Sequence, residues 1–110
     1  MKPTLAFLIT TLAASTSANT CVRQQNGGMK KWLVHGPTGI TNIAAFCNGL
    51  WDNLKSHPGC PPSETFCGAA GEDNHVQWNF KSGAGCHGTD VQDVWYAATK
   101  NREGPIDCYA

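Results

Sequence analysis

His75-Val76-Gln77-Trp78-Asn79-Phe80-Lys81 alternates polar and apolar residues without a break, and a period of two is the signature of a half-buried β-strand. Val76, Trp78 and Phe80 fall on one face, which must pack on a second layer. Gln77, Asn79 and Lys81 fall on the other, which meets water or a partner.

Outward from this strand, the chain supplies further strands and the layer that covers them. Ile40, Ile43, Ala44, Cys47, Leu50, Trp51 and Leu54 recur at three- and four-residue intervals. They predict a helix over 41–55, broken by His57-Pro58-Gly59. Gly49 costs that helix about 1 kcal/mol relative to alanine and reads as a close-packing position. Asn26-Gly27-Gly28 is a turn signal between Val22 to Gln25 and Trp32-Leu33-Val34, a hairpin that stops at Gly36-Pro37. Cys60-Pro61-Pro62 to Cys67-Gly68 reads as a loop and a strand. Thr89-Asp90-Val91-Gln92 has the form of a capping box. It opens a second helix with Val91, Val94, Trp95 and Ala98 on its apolar stripe, ended by Gly104-Pro105. Ile106 to Tyr109 is read as a closing strand. The expected fold class is α+β: a small disulfide-rich domain with an antiparallel sheet of about four strands and two helices packed on it.

Lys2, an apolar run from Leu5 to Ala14 and small residues up to Ala18 form the pattern of a secretory signal peptide over residues 1–18, leaving a single domain over 19–110. The run is about half the roughly 20 residues that a membrane-spanning helix needs. No second such run follows, so no membrane span is expected and the domain reads as secreted and extracellular. Cys21, Cys47, Cys60, Cys67, Cys86 and Cys108 all lie beyond the leader. An even number of cysteines in an oxidising compartment is a disulfide framework, and a chain of roughly 92 residues needs one. Cys60 with Cys67 and Cys47 with Cys108 are the expected pairs. No cysteines or histidines have zinc-ligand spacing, so no metal and no other cofactor is expected.

Loss of Lys2 leaves seven Lys and Arg against eight Asp and Glu. Lys30-Lys31 is the only adjacent basic pair and reads as a solvated turn, so a nucleic-acid partner is not expected. His35, His57, His75 and His87 sit in no catalytic motif. Two of them with a carboxylate and Arg23 or Arg102 would serve phosphodiester cleavage only if the fold gathered them. Glu72-Asp73 and Asp90 with Asp93 read as turn and helix-start residues, not as the flanking carboxylates of a glycosidase. No catalytic residue is assigned. Trp51, Trp78 and Trp95 belong to apolar stripes, which leaves Trp32, beside Lys31, as a candidate platform for the C–H face of a sugar. Gln77 and Asn79 on the polar strand face, with Asp73 and Asn74 at its edge, offer donors and acceptors for hydroxyl groups and complete the candidate ligand-binding set.

The order Phe46-Cys47-x-x-Leu50-Trp51, Cys60, Cys67-Gly68, Trp78-Asn79-Phe80, Cys86, Val91-x-x-Val94-Trp95 and Ala98-Thr99-Lys100-Asn101-x-x-Gly104-x-Ile106-x-Cys108 resembles small secreted fungal glycan-binding proteins of the ink-cap mushroom lectin type. The resemblance spans essentially the whole domain. It implies an α/β sandwich whose antiparallel sheet pairs with that of a second subunit, hence a homodimer. It also implies binding of fucosylated glycans that contain N-acetylgalactosamine, and no enzyme activity. It assigns no binding residue to a position here. The leading expectation is therefore a secreted carbohydrate-binding protein whose partners are glycans or glycoproteins. A secreted effector or toxin acting on another organism's cells shares its bulk features, and a histidine-dependent nuclease is the enzymatic alternative.

Overall fold

The computed structural model describes residues 19–108, so the leader expected over 1–18 and the side of the expected closing strand at Tyr109 lie outside the described residues. Six elements follow in order: β1 Thr20–Asn26, β2 Met29–His35, α1 Ile43–Leu54, β3 Ser63–Ala70, β4 His75–Gly83 and α2 Gly88–Thr99. The strands form one antiparallel sheet in the order β1-β2-β4-β3, and both helices cover the same face. This is a small α+β domain with three disulfides.

β1 and β2 form the expected hairpin, with Asn26 opposite Met29 across Gly27-Gly28. Gly27 has φ +65°, the left-handed region that such a two-residue turn demands and that glycine adopts without a Cβ clash. β2 alternates buried and half-buried residues along its whole length. Lys30 is therefore a strand residue on the covered face and not part of a solvated turn. Its ammonium donates to the Cys86 carbonyl at 2.9 Å, which supplies the partner a buried charge requires.

Val76, Trp78 and Phe80 are fully buried, as the alternation of β4 requires. In the register Trp32 faces Phe80 and Val34 faces Trp78, so the aromatic residues of the two interior strands form one slab. Trp78 meets Trp51 of α1 edge-on at 6.0 Å and Trp95 of α2 stacked at 6.3 Å between ring centroids. Each buried aromatic of this kind is worth about 3–5 kcal/mol against alanine. Trp32 belongs to the same slab with 0% exposure. Its indole N–H donates to Ser82 Oγ at 2.9 Å, which places it beyond the reach of any ligand and corrects its assignment as a binding platform. Gly36, just past β2, is also dictated by packing: a Cβ there would lie 2.7 Å from Cη2 of Trp95.

α1 starts at Ile43, where the Asn42 side chain accepts from the Ala45 N–H. Cys47, Leu50 and Leu54 are its buried residues. Ala44 faces solvent, and Phe46 packs on the core in its place. The cap of α2 differs from the Thr89–Gln92 box. Asp90 Oδ2 accepts from the His87 N–H at 2.9 Å, two residues earlier in register, and Gln92 instead accepts from the Cys108 N–H at 2.8 Å. α2 ends at Thr99, ahead of Gly104-Pro105, because Lys100 takes a left-handed conformation. Residues 104–108 are irregular and not a strand: they run as a strap held by Gln92 and by a disulfide.

The disulfides join Cys21 to Cys108, Cys47 to Cys67 and Cys60 to Cys86, correcting both expected pairs. Cys67 pairs with Trp78 in the β3–β4 register, so its side chain takes the helix-covered face and meets Cys47 on α1. The extended chain between Cys60 and Cys67 carries the two sulfurs apart. Cys108 closes the strap onto β1, and Cys60 fastens the end of α1 to the entry of α2. By loop length each bridge contributes on the order of 3–5 kcal/mol.

Ser82→Ala removes the acceptor of the buried Trp32 indole and leaves an unsatisfied N–H. We expect a loss of about 1–3 kcal/mol in urea denaturation, and a much smaller effect of the same substitution in a Trp32→Phe background.

Candidate functional site

β2 ends at His35 and β4 begins at His75, both on the face of the sheet away from the helices, to which Gln77 and Asn79 also belong. Beyond the strand end, the Gly36 N–H donates to Val76 O at 2.7 Å and the Val76 N–H to Pro37 O at 3.0 Å. These bonds carry the ladder past His35 and hold the two histidines side by side. The β3–β4 turn, Gly71 to Asn74, supplies the third group. Gly71 and Asn74 take left-handed conformations, and Asp73 is turned back onto His75.

The result is a chain of three side chains. Asp73 Oδ1 lies 2.8 Å from His75 Nδ1, and His75 Nε2 lies 2.8 Å from His35 Nδ1. A carboxylate only accepts, so His75 Nδ1 carries the proton of that contact. Neutral His75 then accepts at Nε2, His35 donates from Nδ1, and His35 Nε2 keeps its lone pair. The hydrogen bond from His75 holds the Asp73 carboxyl below its ordinary range.

These residues line an open pocket of about 520 Å³ at the end of the sheet, with Arg102 and Glu103 from the segment after α2 on its far wall. That wall is fixed in place. Asn19 Nδ2 donates to the Glu103 carbonyl at 2.7 Å, Trp95 Nε1 donates to Gly104 O at 2.9 Å, and the Arg102 N–H donates to Thr99 O at 3.0 Å. With the imidazoles neutral, Asp73 and Glu103 outnumber Arg102, so the lining carries one net negative charge.

Of the candidate ligand residues, Asp73 lies in this pocket and Asn74 shapes its turn. Gln77 sits opposite His35 in the β2–β4 register, and Asn79 lies two residue pairs further from the pocket. The acceptor oxygen of Asn79 is shielded from solvent and has no hydrogen-bond partner among the described residues, which leaves it unavailable to a ligand. Of the histidines, His57 is 3.5 Å from Asp90 and His87 precedes α2, both away from the pocket. Arg23 lies on β1 and does not line the pocket. The set His35, His75 and Arg102 has no local signature, because its members come from three distant segments. Only the two-residue spacing of Asp73 and His75 was a signal within one segment. Cys60, Cys86 and Asp90 form the one group of potential metal ligands drawn together among the described residues, and its two sulfurs are joined to each other. No helix among the described residues is long and apolar enough to cross a membrane.

The chain matches no known protein family model, no curated protein and no solved structure.

Because Asp73 is held below its ordinary value of 3.8 in the folded state, its contact with His75 adds stability above that pH. The contribution is lost as pH falls through the depressed value. Asp73→Asn is therefore expected to lower stability at neutral pH and to converge with the parent as pH falls through the depressed Asp73 value, as followed by thermal melts across a pH series.

Proposed function

We propose that this chain is a secreted glycan-binding protein without catalysis, and that the pocket formed by Asp73, His75, His35 and Arg102 receives a neutral sugar. The observation that carries this reading is the polarity of the pocket with both imidazoles neutral. Asp73 and the free lone pair of His35 Nε2 accept, Arg102 donates, and a pair of vicinal sugar hydroxyls can do both. A net negative lining disfavours phosphates and other polyanions. Phosphodiester cleavage by two imidazoles needs both rings free to exchange protons with the substrate, whereas here both nitrogens of His75 are engaged, by Asp73 and by His35. The resemblance of the cysteine and tryptophan order to ink-cap mushroom lectins supports the same reading and makes fucosylated glycans containing N-acetylgalactosamine the first to try. The three disulfides are compatible with secretion.

Screening the purified domain on a glycan array is expected to give binding to neutral glycans that falls at least tenfold in Asp73→Ala and His35→Ala. Absence of binding at high protein concentration overturns the proposal, as does RNA cleavage abolished by His35→Ala. A homodimer by sheet pairing belongs to this reading, through the open edge of β1, since β3 carries a register shift between Ser63 and Phe66 that disfavours pairing at the other edge. Sedimentation velocity is expected to give a dimer that Arg23→Pro, removing a β1 N–H that faces away from β2, converts to monomer; a monomer for the parent domain disproves it.

A further inference from the structure

A second cavity of about 390 Å³ lies beside the first, between the Gly39–Asn42 segment, α1 and the end of α2. Arg102 and Glu103 line both, so the two are compartments of one groove divided by a shared wall. The second compartment mixes apolar and polar groups: Ile40, Ala45, Phe46 and Ala98 line it together with Thr41, Asn42 and Gly49.

Gly49 is the informative residue. It sits within α1, away from both ends, where glycine costs roughly 0.5–1 kcal/mol against alanine. No structural requirement answers for that cost. A Cβ at Gly49 would have no neighbour within 4 Å, so the close packing that its position in the sequence suggests is absent, and its φ lies outside the left-handed region. What the missing side chain does is leave the second compartment open. Residues that weaken a fold without a packing reason are expected where function needs the space.

Resting on the glycan reading of the first pocket, we propose that the groove takes an oligosaccharide. One sugar unit contacts the Asp73–His75–His35 end, and a further unit of the same chain occupies the compartment kept open by Gly49. Arg102, on the pinned wall between them, donates hydrogen bonds to the linked units. The mixture of Ile40, Ala45 and Phe46 with Thr41 suits a sugar unit that carries an apolar methyl or acetamido group.

The test is Gly49→Leu, which fills the second compartment while improving helix propensity, so its melting temperature should match or exceed that of the parent. The probes are N-acetylgalactosamine and tri- and tetrasaccharides that contain it, followed by amide chemical-shift titration. In the parent, the monosaccharide should shift the His35 and His75 amides. The oligosaccharides should also shift Gly49 and Ala98 and bind at least tenfold more tightly. In Gly49→Leu, monosaccharide binding should stay within twofold of the parent, and the advantage of the longer sugars should vanish. Oligosaccharides that bind no better than the monosaccharide, or that keep their full advantage in Gly49→Leu, overturn the two-compartment groove and leave the first pocket standing. If neither class of probe binds, both the groove and the glycan reading fall.

Discussion

The indole of Trp78 is the contact on which every layer of this domain depends. It lies on an interior strand, with Val34 of β2 on one side of the register and Cys67 of β3 on the other. Above it, Trp51 and Trp95 bring one residue from each helix. Four of the six elements thus meet the sheet position of one side chain. In a domain too small for a generous core, this concentration of aromatic area lets two short helices find a single seat. It also sets the polar face of the sheet. Once Val76, Trp78 and Phe80 are covered by the helices, the pleat obliges His75, Gln77 and Asn79 to face the other way.

The disulfides extend this arrangement to parts of the chain that the core does not reach. Cys47–Cys67 repeats the α1–sheet contact covalently, and Cys60–Cys86 joins the end of one helix to the start of the other. Cys21–Cys108 acts differently. It returns an irregular C-terminal strap to the edge strand across 87 residues of sequence, and the same strap is held by Asn19 and Trp95. The wall bearing Arg102 and Glu103 is therefore rigid although it belongs to no helix or strand. The proposed groove would gain from this, because ordering a loop on ligand capture would offset part of the affinity.

The pocket and the fold are linked through the ends of β2 and β4. The two backbone bonds beyond His35 fix the spacing of His35 and His75, and the left-handed residues of the β3–β4 turn aim Asp73 at them. The polarity of the site follows from its order, carboxylate first and free imidazole nitrogen last. Gly49 is the counterpart in the helical layer, a position where the missing side chain matters more than the backbone.

Much of the fold was legible in the sequence, because its signals are local. The alternation of His75 to Lys81, the three- and four-residue spacing of α1 and the glycine turn after Asn26 are consequences of strand pleat, helix pitch and permitted φ within a few residues. The same locality explains the errors. Thr89 and Asp90 are both credible helix-start residues, and only the fit of Gln92 to Cys108 decides the register of the cap. Trp32 looked free beside Lys31, yet pairing with Phe80 buries it. Disulfide partners, the meeting of His35 with His75 some 40 residues away and the open space over Gly49 depend on which faces come together. That is fixed by long-range packing around Trp78, which the linear order of residues does not encode in any single segment.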